Sequence, residues 1–254
     1  GTALFKQYIW ASGNSGFALT GVGRNPQEYP TVSIENGIDG SRAIKLETKS
    51  TGQFGETVKM PIAAGNLFLG SFDVNNAVQK PLKATRFGLP FGKKPLQLKG
   101  YYKYTPGTQP FKAKDKNGNT VTIPGQEDEG DIYAVLYEAA ELDGKALDGN
   151  NVLTSEYIVA LARVEVEKKD EFTAFHVDFH YESRIPIDWP KFIQDQRDPS
   201  DDGTGEYWPF KEEKMKNYEY NLAVVFTSSK YGAYFAGSVG STLCIDKVEI
   251  VCEK

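Results

Sequence analysis

Both histidines of the chain fall in one stretch, as His176 and His180, and with Asp178 and Glu182 they occupy every second position. On a β-strand, side chains two apart point the same way, with Cα atoms about 6.6 Å apart. A His-x-Asp-x-His run can therefore converge on a metal ion, or offer a glycan's hydroxyls a row of hydrogen-bonding groups. The plainer reading, and the one preferred for this stripe, is a solvated outer sheet face. Thr173, Phe175, Val177, Phe179 and Tyr181 fill the intervening positions and read as the face turned to a core.

Just beyond the stripe, residues 185–216 hold Trp189, Phe192, Tyr207 and Trp208, with a proline directly after each tryptophan. Roughly thirty residues between two strands exceed the usual connection, and long connections tend to be functional. Aromatic faces pack on the C–H surface of a sugar ring, and polar groups nearby bind its hydroxyls. Trp189, Tyr207 and Trp208 are thus stacking candidates for a carbohydrate, with His176, Asp178, His180 and Glu182 beneath them. The alternative is that the tryptophans only anchor the segment. Within the same segment, Asp198, Ser200, Asp202, Gly203 and Thr204 match positions 1, 3, 5, 6 and 7 of an EF-hand-type loop, and Glu206 follows. These residues form a candidate calcium site. Pro199 at position 2 and Pro209 at position 12 depart from the pattern, so a solvated acidic loop is the plainer reading. No Glu-x-Asp-x-x-Glu strand of the jelly-roll glucanase kind occurs. Gly-x-Ser-x-Gly occurs only in broken form at Gly13–Gly16, and no glycine-rich loop joins a strand to a helix.

These groups need a scaffold, and period-2 alternation says that it is β. Alternating runs cover residues 4–10, 43–48, 66–74, 96–105, 131–138, 157–167, 172–182, 218–227 and 243–252. Asn117-Gly118 predicts a hairpin into residues 120–123. Short helical turns are expected near Phe192 and Lys211, and no long amphipathic helix. Many short strands with turns between them predict two packed antiparallel sheets. With 254 residues, 40% of them hydrophobic, the chain is read as one jelly-roll β-sandwich domain over residues 1–254. The last strand changes parity. Leu243 and Ile245 share one face, while Val248, Ile250 and Cys252 resume on the other. One extra residue at Asp246-Lys247, a β-bulge, would restore a single apolar face; a strand passing between sheets at a corner is the alternative. Cys244 and Cys252 lie about 26 Å apart along a continuous strand, too far for a disulfide, and read as buried thiols. A net charge of −5 with no basic patch argues against a nucleic-acid partner.

Four stretches, in order, resemble the Bacteroidetes "putative carbohydrate metabolism domain" family. They are WASGNSGFAL (Trp10–Leu19), AAGNLFLGSF (Ala63–Phe72), LKGYYKYTPG (Leu98–Gly107) and, most specifically, SSKYGAYFAGSVGSTLCIDKVEI (Ser228–Ile250). The resemblance implies a jelly roll and a role in bacterial glycan use. It also implies export to the periplasm or outer surface of a Gram-negative cell, often through a lipid anchor. It supplies no catalytic residues. The ending is also similar to carbohydrate-binding modules, and that likeness makes Asp246 a second calcium candidate. The expected function is a glycan-binding domain of an exported protein. The alternatives are a glycoside hydrolase using an unrecognised carboxylate pair, and a structural or adhesive surface module.

Overall fold

The computed structural model describes residues 10–142, 145–197 and 203–254. Its principal strands are β1 (Trp10–Ala11), β2 (Thr31–Ile34), β3 (Ala43–Glu47), β4 (Asn66–Phe72) and β5 (Pro95–Thr105), followed by β6 (Asp131–Glu138), β7 (Ile158–Val164), β8 (Lys169–Asp178), β9 (Tyr220–Thr227) and β10 (Thr242–Cys252). Sheet one runs β1-β4-β9-β6-β7, with Thr85–Phe87 paired to β4 and Leu89–Pro90 to β9. Sheet two runs β8-β5-β10-β3-β2. Every pairing is antiparallel, and the two sheets stack as a jelly-roll β-sandwich.

Alternation builds the layer between the sheets. Ile132, Ala134 and Leu136 of β6 sit opposite Phe226, Val224 and Leu222 of β9. Together they meet Leu98, Tyr102 and Tyr104 of β5, Phe175 of β8, and Leu243 and Ile245 of β10. The parity change in β10 is a bulge: its register against β5 shifts between Asp246 and Glu249. Lys247 takes the left-handed conformation there, with φ 47°. Val248 and Ile250 thereby rejoin the face of Leu243 and Ile245, as one extra residue requires. The hairpin forms between Lys112–Lys114 and Thr120–Thr122. Its Asp115 carboxylate accepts from the backbone N–H groups of Asn117 and Asn119, both at 2.8 Å. Helical turns occur at Lys191–Gln194 and Glu212–Lys216.

Three details differ from expectation. β2 carries little alternation, with Val32 its one buried residue, and escapes notice in the sequence. β9 starts at Tyr220, because Tyr218 has φ 58° and is 64% exposed. Cys244 is buried but Cys252 is only half-buried.

Sheet one is also covered on its outer side. All eight residues of β6 are buried. Tyr133, Val135 and Tyr137 pack outward against Phe68, Phe87, Leu147, Val152, Tyr207 and Val225. The cover comes from the connections between strands, which bring Leu142, Leu147, Val152, Leu153, Ile185 and Tyr207 onto that face. Burial on both faces explains why β6 reads as a nearly continuous apolar run.

Candidate functional site

The stripe divides in two. His176 and Asp178 are exposed on the outer side of sheet two, where they pair with Lys99 and Gln97, and Gln97 Nε2 donates to Asp178 Oδ1 at 2.9 Å. After Phe179, whose N–H still donates to the Leu96 carbonyl of β5 at 2.9 Å, the chain leaves that sheet. His180 exchanges both backbone hydrogen bonds with Leu161, at the edge of sheet one. His180 and Glu182 are also exposed. Among the described residues no three His, Cys, Asp or Glu side chains are grouped to hold a metal ion. Asp198, Ser200 and Asp202 of the candidate calcium loop lie outside the described residues; Thr204 and Glu206 are exposed. Asp246 clamps a loop. Its Oδ2 accepts from Ile38 N–H at 2.7 Å and from the Ser41 hydroxyl, and its Oδ1 from Lys247 N–H at 2.7 Å. Against a desolvation cost, these bonds hold its carboxyl below the usual range.

The three aromatic candidates also part company. Trp208 packs edge-on against Tyr157 beside the inter-sheet core. Its indole N–H donates to the buried Glu138 carboxylate at 2.6 Å, whose other oxygen meets Lys214. Tyr207 is buried over the outer face of sheet one, and its hydroxyl accepts from Ile185 N–H at 3.3 Å. Trp189 lies further along that face, under the Arg197 guanidinium, 4.1 Å above its ring. The sandwich separates Trp189 from His176 and Asp178, so the structure does not bring the tryptophans and the stripe into one site.

Trp189 and Arg197 instead wall a cavity of about 200 Å³ on the outer side of sheet one. Its floor is Phe68, Phe87, Tyr133 and Val225. Three of the four stretches that carry the family resemblance reach it. Gly13, Gly16 and Phe17 come from the first, Ala63, Ala64 and Asn66 from the second, and Ser229 through Phe235 from the last. Local chemistry seats each. Gly13 N–H donates to Asn66 Oδ1 at 2.8 Å, and Asn14 exchanges hydrogen bonds with the backbone of Thr31 at 2.7 and 3.1 Å. Gly65 passes so close to sheet two that a Cβ there would lie 2.3 Å from the Glu47 nitrogen. The serines of the last stretch converge on Asp128, which is 2% exposed. Ser229 and Ser241 hydroxyls and Ser238 N–H donate to its Oδ2 at 2.6, 2.7 and 2.8 Å. Burial nevertheless pushes its carboxyl up to about 6.

The cavity's charges are spoken for. Arg163 grips Asp131 with two hydrogen bonds of 3.0 and 2.7 Å, a bidentate geometry that is strong when desolvated. Lys230 pairs with Glu129 at 2.9 Å. Arg197 donates to the Tyr234 hydroxyl at 2.5 Å and to Thr154 at 3.3 Å. Three neutral groups stand differently. The buried indole N–H of Trp189 has no acceptor, and the hydroxyls of Tyr133 and Tyr231 make no hydrogen bond among the described residues. Burial raises both phenols above their ordinary range, so they remain neutral hydroxyls.

Sequence reasoning missed Asp131, Tyr133, Arg163 and Tyr231. A signal existed: Asp131 opens one strand and Arg163 lies near the end of another, both with apolar interiors, where a charge needs a partner.

No curated protein matches the chain. A crystal structure described as a putative glycoside hydrolase from Bacteroides thetaiotaomicron is 43% identical, with a TM-score of 0.80 over 96% of this chain. The chain spans 63% of that protein's length. A second, described as a putative glycoside hydrolase from Bacteroides vulgatus, is 38% identical, with a TM-score of 0.77 over 96% of this chain and 85% of its own. The family described as "Putative carbohydrate metabolism domain" matches residues 2–251, and the chain belongs to it.

Proposed function

We propose that this chain is a carbohydrate-binding domain whose sugar site is the cavity over sheet one, and that it binds without hydrolysing. The observation that carries this reading is the convergence there of three of the four family-like stretches, which come from distant parts of the chain. The wall combines an aromatic ring, tyrosine hydroxyls and an apolar floor, the mixture that sugar sites use. Export to the periplasm or outer surface of a Gram-negative cell belongs to the same proposal.

A hydrolase reading is favoured by the descriptions of the two related Bacteroides structures. Glycosidases generally need two carboxylates flanking the bond. Among the described lining residues the cavity has one, Asp131, and Arg163 holds both of its oxygens. Incubation with a polysaccharide panel, read by affinity electrophoresis and by release of reducing ends, tests the proposal. Retardation without release is expected. Release of sugar would overturn the binding-only reading, and no retardation on any glycan would point to a structural or adhesive module.

A further inference from the structure

Most polar side chains around the cavity already satisfy one another. Asn66 is engaged with Gly13 and Ala64, Thr51 with Met60, Thr227 with Ser229, and Asn150 with Asp148. Asp131 and Arg163 hold each other. What is left to meet a ligand is small: the hydroxyls of Tyr133, Tyr231 and Thr85. The rest of the surround is apolar, with Phe17, Phe54, Phe68, Phe72, Leu82 and Val225 prominent.

An ordinary hexose carries a hydroxyl at nearly every carbon. Each one buried without a partner costs free energy comparable to a lost hydrogen bond. A wall with so few open groups therefore selects against full hydroxylation. Loss of a ring hydroxyl would leave a void, which is itself unfavourable in a packed site. Replacement of the exocyclic CH₂OH by CH₃ removes one hydroxyl and leaves an apolar knob for an apolar recess. Size adds a second constraint. About 200 Å³ lies below the 300–1,000 Å³ common for drug-sized ligands. Chain segments wall the cavity from several directions: residues 13–20, 51–60, 77–85, 149–153 and 229–235.

Resting on the carbohydrate reading above, we propose that the cavity takes a single 6-deoxyhexose unit at a chain end or branch tip. The ring lies against Trp189, the methyl group sits among the phenylalanines, and the remaining hydroxyls meet Tyr133 and Tyr231.

Titration calorimetry with two pairs of methyl glycosides tests this: L-fucoside against L-galactoside, and L-rhamnoside against L-mannoside. Members of each pair differ only in the 6-hydroxyl. At least one deoxy sugar is expected to bind tenfold or more tightly than its partner. Tyr133→Phe and Tyr231→Phe should each weaken that binding several-fold while leaving the melting temperature within a few degrees of the wild type. Equal or tighter binding of the 6-hydroxy sugars, or preference for N-acetylglucosamine or galacturonate added as controls, would overturn this inference and leave the carbohydrate reading standing. Absence of binding by every sugar, together with no retardation on the polysaccharide panel, would overturn both.

Discussion

Trp189 and Trp208 look alike in the sequence, each on the long segment and each followed by proline. Their surroundings separate them. Trp208 is tied to a carboxylate with no exposed surface, and Lys214 shares that carboxylate. Trp208→Ala would open a void beside the core and strip Glu138 of a donor. Large-to-small changes of this kind cost about 3–5 kcal/mol, and at this chain length each kcal/mol lowers the melting temperature by roughly 2–4 °C. A melting scan should fall by about 10 °C, with glycan affinity of the folded fraction unchanged. Trp189→Ala should do the reverse: a smaller loss of stability, and affinity weakened by about 1–3 kcal/mol, by analogy with stacking on bases. If Trp189→Ala leaves glycan affinity intact and only destabilises, its ring is a packing anchor and the cavity is not the sugar site. The Asp131–Arg163 pair gives a third contrast. Arg163→Ala would leave Asp131 charged and unpaired in a buried place, a change that costs about 3–5 kcal/mol. Urea titration checks it, and a change under 1 kcal/mol would show that the pair is solvated.

The last family-like stretch matters as an element more than as a set of reactive groups. Its serines hold the turn before β10 to Asp128 and to Thr48, whose hydroxyl lies 2.6 Å from that of Ser229. The same turn continues into the cavity wall through Ser229 and Tyr231, so the Asp128 network fixes where the wall stands. Burial raises the Asp128 carboxyl to about 6, above the roughly 3.9 of an unfolded chain. The folded state therefore holds this proton more tightly. The contribution is fully present below about pH 4 and is lost as pH rises through about 6, on the order of 2–3 kcal/mol in all. Asp128→Asn retains the shape and cannot ionise. Chemical denaturation of both forms between pH 4 and 8 should show the wild type losing ground to the variant up to about pH 6–7 and then running parallel. A difference independent of pH across that window would mean that the donors around Asp128, Glu129 N–H at 3.0 Å from its Oδ1 among them, outweigh its desolvation.

At the scale of the whole molecule, what could be read from the chain was whatever repeats with the strand period. The alternating run at 96–105, the apolar strand at 131–138, the hairpin at Asn117-Gly118 and the bulge at Asp246-Lys247 each follow from local pattern, and each forms. The site was hidden because it depends on which face of sheet one is covered, and by what. Asp131 and Arg163 lie 32 residues apart, and Trp189 reaches the cavity only because the segment after Glu182 crosses the sheet. No period in the sequence encodes that crossing. It has a measurable consequence. A strand paired on both sides and buried on both faces opens only with the whole domain, whereas an edge strand with a wet face can open locally. β6 is paired to β7 and β9 and has all eight residues buried. β8 is an edge strand paired along its length only to β5, and it exposes Glu171, Thr173, His176 and Asp178 to water. Hydrogen exchange followed by mass spectrometry should therefore find peptides from 131–138 among the slowest in the protein, and peptides from 169–178 faster by orders of magnitude. Excision of the cover by Tyr207→Ala should speed exchange at 131–138 more than at 95–105, since Tyr207 packs on sheet one alone. If instead 131–138 exchanges as fast as the edge, the outer layer does not seal that face, and the cavity built on it has no rigid floor.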